Sequence, residues 1–258
     1  MGDKSMTWVT LNVDDTPMAT YVATPDGPGP FPAVVFAQHI GGVDKATEEY
    51  CDRLAAAGYV TACPDLYHRQ DKGIAYEDLY SAGQDAERVR NLVMAKARSL
   101  KSTLTDDETL RDMEAAADYL LFLSGGGTSG IGVVGFCMGG RVAYLVATRS
   151  SRYRATAIAF PSDLFKRQGD NLSPFDNSLN ITSPMLGLFG ADDQNPSLEE
   201  ARRVDTHLTT LGIEHSFHYY EGAGHGFMNA HNHVHYNEQA SESAWSKLLP
   251  FLSAKLHG

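Results

Sequence analysis

Short apolar or β-branched runs alternate along the chain with longer segments in which apolar positions recur every three or four residues. Residues 33–37 (AVVFA) are apolar at every position, as expected of a strand that is buried on both faces. An alternation of buried strands with amphipathic helices is typical of a mainly parallel sheet covered by helices. The pattern therefore predicts an α/β protein.

Other short runs predict more strands for this sheet. Trp8–Val13 and Met18–Ala23 are separated by Asp-Asp-Thr-Pro, and they predict an N-terminal hairpin. Tyr59–Cys63 is a further strand candidate, which ends before a proline, and residues 184–189 (PMLGLF) form another. We expect all of these runs to join residues 33–37 in one sheet.

Helix start signals stand before several amphipathic segments. Thr105 with Glu108 and Ser197 with Glu200 both have capping-box spacing, and each pair precedes an apolar stripe of helical period. Residues 45–57 form another predicted helix, which a glycine ends. Between residues 70 and 104 no strand candidate occurs, so this polar, helical stretch is predicted to pass over the top of the sheet as a lid or a helix pair.

Length, charge and cysteine content limit the function classes. The chain has 258 residues, and we predict a single domain over residues 1–258. Its formal charge is −11, which opposes binding to nucleic-acid phosphates or to an anionic membrane surface. Three cysteines without Cys-x-x-Cys spacing predict no disulfide framework. With no apolar leader at the start, we expect a cytoplasmic protein that is a monomer or a homodimer.

One segment carries a motif for nucleophilic catalysis. The apolar run 130–136 leads into Gly135-x-Cys137-x-Gly139 and then into a predicted helix. This strand, tight turn and helix are the context of a nucleophile elbow, with cysteine in place of serine. The glycines leave room for a turn in which a Cβ would collide with its neighbours. A helix N-terminus next to Cys137 favours the thiolate.

Candidate acid and base residues follow the motif in the order known from α/β-hydrolases. Asp193 and Asp192 both lie in an acidic turn after the strand 184–189, and the spacing from Gly190 favours Asp193 as the acid. His225 lies in a glycine-flanked loop after a strand candidate and is the predicted base. The sequence thus predicts an α/β-hydrolase fold, with helices on both faces of the sheet.

Four sequence blocks together resemble the dienelactone hydrolase family, whose members are α/β-hydrolases with a cysteine nucleophile. They are AQHIGG at 37–42, CPDLYHRQ at 63–70, the Cys137 motif and GAGHGF at 222–227. The resemblance implies a Cys137, Asp193 and His225 triad and an oxyanion hole formed by the backbone N–H groups of Met138 and Ile40. It also implies cleavage of activated carboxylic esters or lactones through an acyl-thioester, as in a carboxymethylenebutenolidase.

Two positions depart from the family pattern. His39 stands where the namesake enzyme has a glutamate that helps to activate the cysteine, so we regard His39 as an accessory site residue. Asn229 stands where the namesake has a substrate-binding arginine. Arg88 or Arg90 is a substitute candidate, but a neutral ester or lactone substrate is the simpler expectation.

Three alternative readings use the same residues. The chain can be a non-catalytic, small-molecule-binding homologue, because fold alone does not establish activity. Cys137 can act in redox sensing, although no resolving cysteine lies near it in the sequence. His231, His233 and His235 suggest a metal site, but no set of cysteine or acidic ligands completes it. We therefore expect no metal and no cofactor.

Overall fold

The computed structural model describes residues 5–70, 86–123, 130–169 and 171–257. In these ranges eight strands form one sheet. The strands are β1 Ser5–Val13, β2 Thr16–Thr24, β3 Ala33–Ala37, β4 Val60–Pro64, β5 Ile131–Phe136, β6 Tyr153–Ala159, β7 Met185–Gly190 and β8 His215–Tyr220. The helices are α1 Lys45–Ala56, α2 Ala86–Thr103, α3 Asp106–Leu123, α4 Met138–Arg149, α5 Leu198–Thr210 and α6 Glu238–Leu256, and a short 3-10 helix covers Phe175–Asn180.

The sheet is mostly parallel, as the sequence pattern predicts. Its strand order is β1-β2-β4-β3-β5-β6-β7-β8. β1 pairs antiparallel with β2, and β2 pairs antiparallel with β4. All pairs from β4 through β8 are parallel. The carboxyl ends of these six strands therefore lie along one edge, where open α/β sheets bind their ligands.

Helices cover both faces of this sheet, which explains why its central strands are apolar throughout. On one face, α3, α4 and α5 pack through residues such as Met113, Val142 and Val204. On the other face, α1 and α6 pack through Leu54 and Trp245. Successive residues of β3 and β5 alternate between these two cores, so every position of the strands is buried. The predicted α/β-hydrolase architecture is confirmed.

The sequence signals place most element boundaries to within one or two residues. The predicted hairpin is β1 and β2, and Ser197 and Glu200 form a complete capping box. At Thr105, the Oγ1 accepts the Glu108 N–H, but the Glu108 carboxylate accepts the Thr105 hydroxyl rather than its backbone N–H. β4 is displaced by one residue from its predicted range, because Pro64 still pairs with Thr20 as the last residue of the strand. A proline is tolerated at a strand end, where no N–H is required of it.

Two arginines are paired with acidic residues, and two cysteines are packed in the core. Arg141 forms a buried ion pair with Asp106 at 2.6 Å, which joins α4 to α3, and Arg69 pairs with Asp112. Cys51 and Cys63 are buried core residues. A buried arginine needs such a carboxylate, because an unpaired charge is costly away from water.

The stretch predicted to pass over the sheet lies partly outside the described residues, at 71–85. Its described part is helix α2, which carries Met94, Arg98 and Lys101 along one wall of a cleft above the sheet. Within the described ranges, no helix combines the length and the apolar character needed to cross a membrane.

The turn between β5 and α4 brings three backbone segments unusually close together. A Cβ added to Gly135 would lie 2.0 Å from the carbonyl oxygen of Gly139. A Cβ added to Gly139 would lie 2.0 Å from the carbonyl oxygen of Ala37, at the end of β3. Because both obstacles are backbone atoms, neither can rotate away. Glycine at these two positions is therefore required for α4 to start directly at the carboxyl edge of the sheet.

We expect Gly139→Ala to lower the free energy of unfolding by about 3 kcal/mol or more, since the added methyl group collides with fixed backbone. Gly224→Ala is the matched control, because a Cβ there has no atom within 4 Å. That variant should stay within about 0.5 kcal/mol of the wild type. Urea unfolding of the three proteins measures both effects, and equal stabilities would contradict the steric argument.

Candidate active site

Cys137 is held in a strained conformation at the N-terminus of α4. Its φ is +56° and its ψ is −123°, which is uncommon for a residue with a side chain. Its N–H donates to the carbonyl of Ala159 at 3.0 Å, and its carbonyl accepts from Gly140 and Ser162 at 3.0 and 3.1 Å. These bonds maintain the strained turn, and the thiol lines the cleft above the sheet.

His225 connects the thiol to a carboxylate. Its Nε2 lies 3.1 Å from Cys137 Sγ, and its Nδ1 lies 2.9 Å from Asp193 Oδ2. The other carboxylate oxygen of Asp193 accepts the N–H of Asn195 at 2.9 Å. The ring of Phe160 stands edge-on to the imidazole with centroids 5.3 Å apart. The imidazole is thus held on two sides while its Nε2 faces the sulfur.

The structure brings together the three residues that the sequence suggested, and it separates the two candidate aspartates. Asp193 is 4% exposed and is bonded to His225. Asp192 follows the same strand but is exposed, and its backbone N–H bonds to Ala223. The two neighbouring aspartates differ in their burial against the histidine. This difference depends on how the turn after β7 packs against the loop after β8.

The thiol and the imidazole shift each other's pKa. Burial raises the pKa of Cys137, but the charge and hydrogen bond of His225 outweigh burial and lower it to about 7. Burial lowers the pKa of His225, whereas the Cys137 thiolate and Asp193 raise it to about 10. Between these values the pair exists as thiolate and imidazolium. The partial positive charge at the N-terminus of α4 stabilises the thiolate further.

Met138 and Ile40 are the residues whose backbone N–H groups the family resemblance assigns to an oxyanion hole. Met138 is the first residue of α4, where a helix has no internal acceptor for its N–H groups, and this N–H stabilises the Cys137 thiolate. Across the cleft, Ile40 belongs to the loop after β3. The hydroxyl of Tyr67 donates to the Ile40 carbonyl at 3.0 Å and approaches Met138 Sδ at 3.4 Å. Tyr67 therefore connects the two segments that carry these amides.

His39 lines the same cleft but contacts the protein through both ring nitrogens. Its Nε2 lies 2.9 Å from Asp44 Oδ1, and its Nδ1 accepts the N–H of Gly41 at 3.1 Å. Burial lowers the pKa of His39, and the Asp44 carboxylate raises it, with a net rise. Sequence reasoning missed Asp44 and Tyr67. An aspartate directly before the helix at 45–56 is a recognisable N-cap, but its contact with His39 has no sequence signal.

The cleft has a volume of about 1840 Å³ and opens along the carboxyl edge of the sheet. Its described walls include α2 on one side and the loop after His225 on the other. Lys101 and Arg141 line it, but each is neutralised, by Asp163 and Asp106 respectively. Arg98 also lines the cleft and is exposed.

Of the two candidate substitutes for the arginine of the family's namesake, only Arg88 can be placed relative to this cleft. Arg88 is exposed on α2 and is absent from the described walls, and the side chain of Arg90 lies outside the described residues. Asn229 does line the cleft and accepts the backbone N–H of His231 at 2.9 Å. An amide cannot supply the charge of an arginine at that position.

The three histidines of the loop after His225 lie along the cleft rather than around a common point. His231 pairs with Glu49 at 2.8 Å, whereas His233 and His235 are exposed. Among the described residues, no group of three or more histidines, cysteines or acidic residues is arranged to hold a metal ion.

Comparison with known proteins matches the dienelactone hydrolase family model to residues 18–256. A "Putative carboxymethylenebutenolidase" of Yersinia pestis is 30% identical over 239 residues, which are 92% of this chain and 83% of that protein. A protein of the same name from Synechocystis sp. is 28% identical over 255 residues, which are 98% of each chain.

Among solved structures, a "Putative Dienelactone Hydrolase" from Klebsiella pneumoniae superimposes with a TM-score of 0.79 at 24% identity, over 96% of this chain and 99% of that one. At this identity the superposition establishes the fold. The family model covers nearly the whole chain, including the elbow, the acidic turn and the histidine loop. The chain therefore belongs to the dienelactone hydrolase family of α/β-hydrolases.

Proposed function

We propose that this protein hydrolyses activated carboxylic esters or lactones with Cys137 as nucleophile, His225 as base and acid, and Asp193 as the residue that orients His225. The observation that carries the proposal is the continuous chain of contacts from Asp193 Oδ2 through both nitrogens of His225 to Cys137 Sγ, at 2.9 and 3.1 Å. Family membership and the names of the relatives, which are lactone hydrolases, support the same reaction class.

Acylation starts from the thiolate that His225 stabilises. Sγ attacks the carbonyl carbon of the ester, and a C–S bond forms while the carbonyl oxygen becomes an oxyanion. We assign the N–H groups of Met138 and Ile40 as the donors to this oxygen. When the intermediate collapses, the C–O bond breaks, and the leaving oxygen takes the proton from His225 Nε2. The product is an acyl-thioester on Cys137.

Deacylation regenerates the thiol pair with the same residues. His225, now neutral, accepts a proton from water through Nε2 as the water oxygen attacks the thioester carbonyl. Asp193 stabilises the imidazolium that forms and maintains the tautomer with Nδ1–H directed at its carboxylate. The C–S bond then breaks, the acid departs, and the thiolate and imidazolium are restored.

The low pKa of Cys137 restricts the substrates. A tetrahedral intermediate expels the weaker base, and a thiolate whose pKa is about 7 leaves far more readily than the much more basic alkoxide of a simple alkyl ester. Attack on a simple alkyl ester therefore tends to reverse. Enolates and phenolates are weaker bases and leave productively. This preference favours enol lactones and aryl esters, and it disfavours alkyl esters and amides.

The charges in the cleft favour a neutral substrate. Lys101 and Arg141 already have carboxylate partners, so neither presents an uncompensated charge. Asn229 offers an amide where the family's namesake has an arginine. A substrate carboxylate would therefore lose hydration in the cleft without gaining a buried cation as its partner.

We expect Cys137→Ala to abolish hydrolysis of p-nitrophenyl acetate, because the sulfur that contacts His225 Nε2 is removed. Mass spectrometry of acid-quenched wild type should find the acetyl group on the peptide that contains Cys137. Cys63→Ala is the control, since that thiol is buried in the core and should be dispensable for turnover. Wild-type protein with neither turnover nor adduct would favour a non-catalytic binding protein.

Alkylation of Cys137 by iodoacetamide should follow the thiolate, with a half-maximal rate near pH 7 and about a tenfold fall for each pH unit below it. In His225→Asn the half-point should rise to about 8.5 or higher, because the imidazolium that stabilised the thiolate is gone. His233→Asn, an exposed residue of the same cleft, should leave the profile unchanged. An unshifted profile in His225→Asn would refute the ion pair.

Replacing a substrate carboxylate by its methyl ester should lower kcat/KM by less than about twofold, since an exposed cation contributes little to binding. Matched pairs of aryl esters, with and without the carboxylate, provide the measurement. A loss of more than about tenfold, or 1.4 kcal/mol, would contradict the neutral-substrate proposal. Arg98→Gln would then test whether Arg98 is the residue that recognises the carboxylate.

A further inference from the structure

The peptide groups on either side of Ile40 belong to the loop after β3, which lines the cleft together with Cys137. In the peptide unit between His39 and Ile40, the carbonyl of His39 accepts the N–H of Gly42 at 3.0 Å. In the next unit, the Ile40 carbonyl accepts from Tyr67 and the Gly41 N–H donates to the His39 ring. No hydrogen bond within the described part of the chain uses the N–H of Ile40. The two peptide units contain four polar groups, and the other three are all hydrogen-bonded.

The contacts of the His39 ring define its tautomer. Nδ1 accepts the Gly41 N–H at 3.1 Å, so this nitrogen carries a lone pair. Nε2 therefore carries the hydrogen and donates it to Asp44 Oδ1 at 2.9 Å. A second proton on the ring would sit at Nδ1 and face the Gly41 N–H. The Gly41 contact therefore opposes protonation of His39, whereas the Asp44 carboxylate favours it. With both nitrogens occupied, the ring has no free atom with which to exchange a proton with substrate.

Asp44 anchors this arrangement to the body of the protein. It is 4% exposed and is the N-cap of α1, where its Oδ1 accepts the N–H of Thr47 at 3.0 Å. The hydroxyl of Thr47 also donates to the Gly42 carbonyl at 3.3 Å. The first turn of α1 thus holds both the His39 ring and the end of the loop. α1 is itself packed on the sheet through buried residues.

We propose that His39 is a positioning residue that directs the Ile40 N–H at the oxyanion by accepting the Gly41 N–H while Asp44 holds its ring in place. This inference rests on the proposed function. The Gly41 contact fixes the peptide plane that follows Ile40, and the Asp44 contact fixes the ring that supplies the acceptor. An oxyanion donor is effective only when its direction is set before the reaction, because reorientation during the reaction costs energy.

Two conservative substitutions separate the contacts. In His39→Asn the side-chain oxygen can take the place of Nδ1 and accept from Gly41, without the bond to Asp44. In His39→Gln the side-chain nitrogen can take the place of Nε2 and donate to Asp44, without the acceptor for Gly41. We expect His39→Gln to lower kcat on p-nitrophenyl acetate by about 10- to 100-fold with little change in KM, which is the scale of a weakened oxyanion donor. His39→Asn should retain at least about tenfold more activity than His39→Gln.

Two further measurements distinguish positioning from other roles. Inhibition by an aryl trifluoromethyl ketone, whose adduct with Cys137 carries an oxyanion, should weaken in His39→Gln by the same factor as kcat/KM. Alkylation by iodoacetamide forms no oxyanion, so its limiting rate at a pH above the pKa of Cys137 should stay within about twofold of the wild type. Loss of a residue that merely stabilised the fold would affect the oxyanion-forming reaction and the alkylation of Cys137 to the same extent.

The chain offers a matched control. His215 also bonds an aspartate through Nε2 and a backbone group through Nδ1, with Asp205 at 2.8 Å and the Ile213 carbonyl at 2.7 Å, but it lies outside the cleft walls. His215→Gln should leave kcat and inhibition unchanged. If His39→Gln fails to fold, Asp44→Ser keeps an N-cap for α1 and removes the carboxylate that holds the ring. It should reduce kcat and ketone binding in parallel, with alkylation unchanged.

The failures of the two proposals differ. If the wild type turns over esters and His39→Gln equals His39→Asn, or if alkylation falls as much as hydrolysis, the positioning role is wrong and the hydrolase remains. If the wild type neither hydrolyses esters nor binds the ketone, the proposed function is wrong and the role of His39 falls with it.

Discussion

The close approach of three backbone segments at the carboxyl edge of the sheet is the constraint on which the site depends. Gly139 leaves its Cβ position empty against the carbonyl of Ala37, and Gly135 does so against Gly139 itself. This approach lets α4 begin immediately after β5 and forces Cys137 into a positive φ. Strain at one residue is maintained because two glycines and the surrounding hydrogen bonds leave no relaxed alternative.

The electrostatics of the site follow from that placement. A thiol buried in apolar surroundings would hold its proton, but Cys137 lies at a helix N-terminus and against His225, and its pKa falls to about 7. The histidine in turn depends on the buried carboxylate of Asp193. Burial therefore strengthens the ion pair of Cys137 and His225 and does not neutralise the two groups, because each charge has a partner within hydrogen-bonding distance. The same low pKa makes the cysteine a good leaving group and narrows the substrates to those with weakly basic leaving groups.

In the loop after β3, uncharged backbone groups are likewise held by specific hydrogen-bond partners. In the two peptide units around Ile40, three groups are bonded to Tyr67, to the His39 ring and to Gly42, and the Ile40 N–H has no bond within the described residues. One oxygen of Asp44 both caps α1 and accepts the hydrogen bond of His39 Nε2–H. In the proposed arrangement, the orientation of the Ile40 N–H depends on the first turn of α1.

The sequence by itself determined the elements that depend on local signals: apolar strands, capped helices, the glycine-flanked turn at Cys137 and the order of Cys137, Asp193 and His225. These depend on periodicity and on residues near one another in the chain. Tertiary structure decided what depends on distant segments meeting: the contacts that join Asp193, His225 and Cys137, the partner of His39 at Asp44, and the neutralisation of Lys101 by Asp163. These contacts depend on how the loops pack at the sheet edge. The spacing of residues along the chain does not specify that packing.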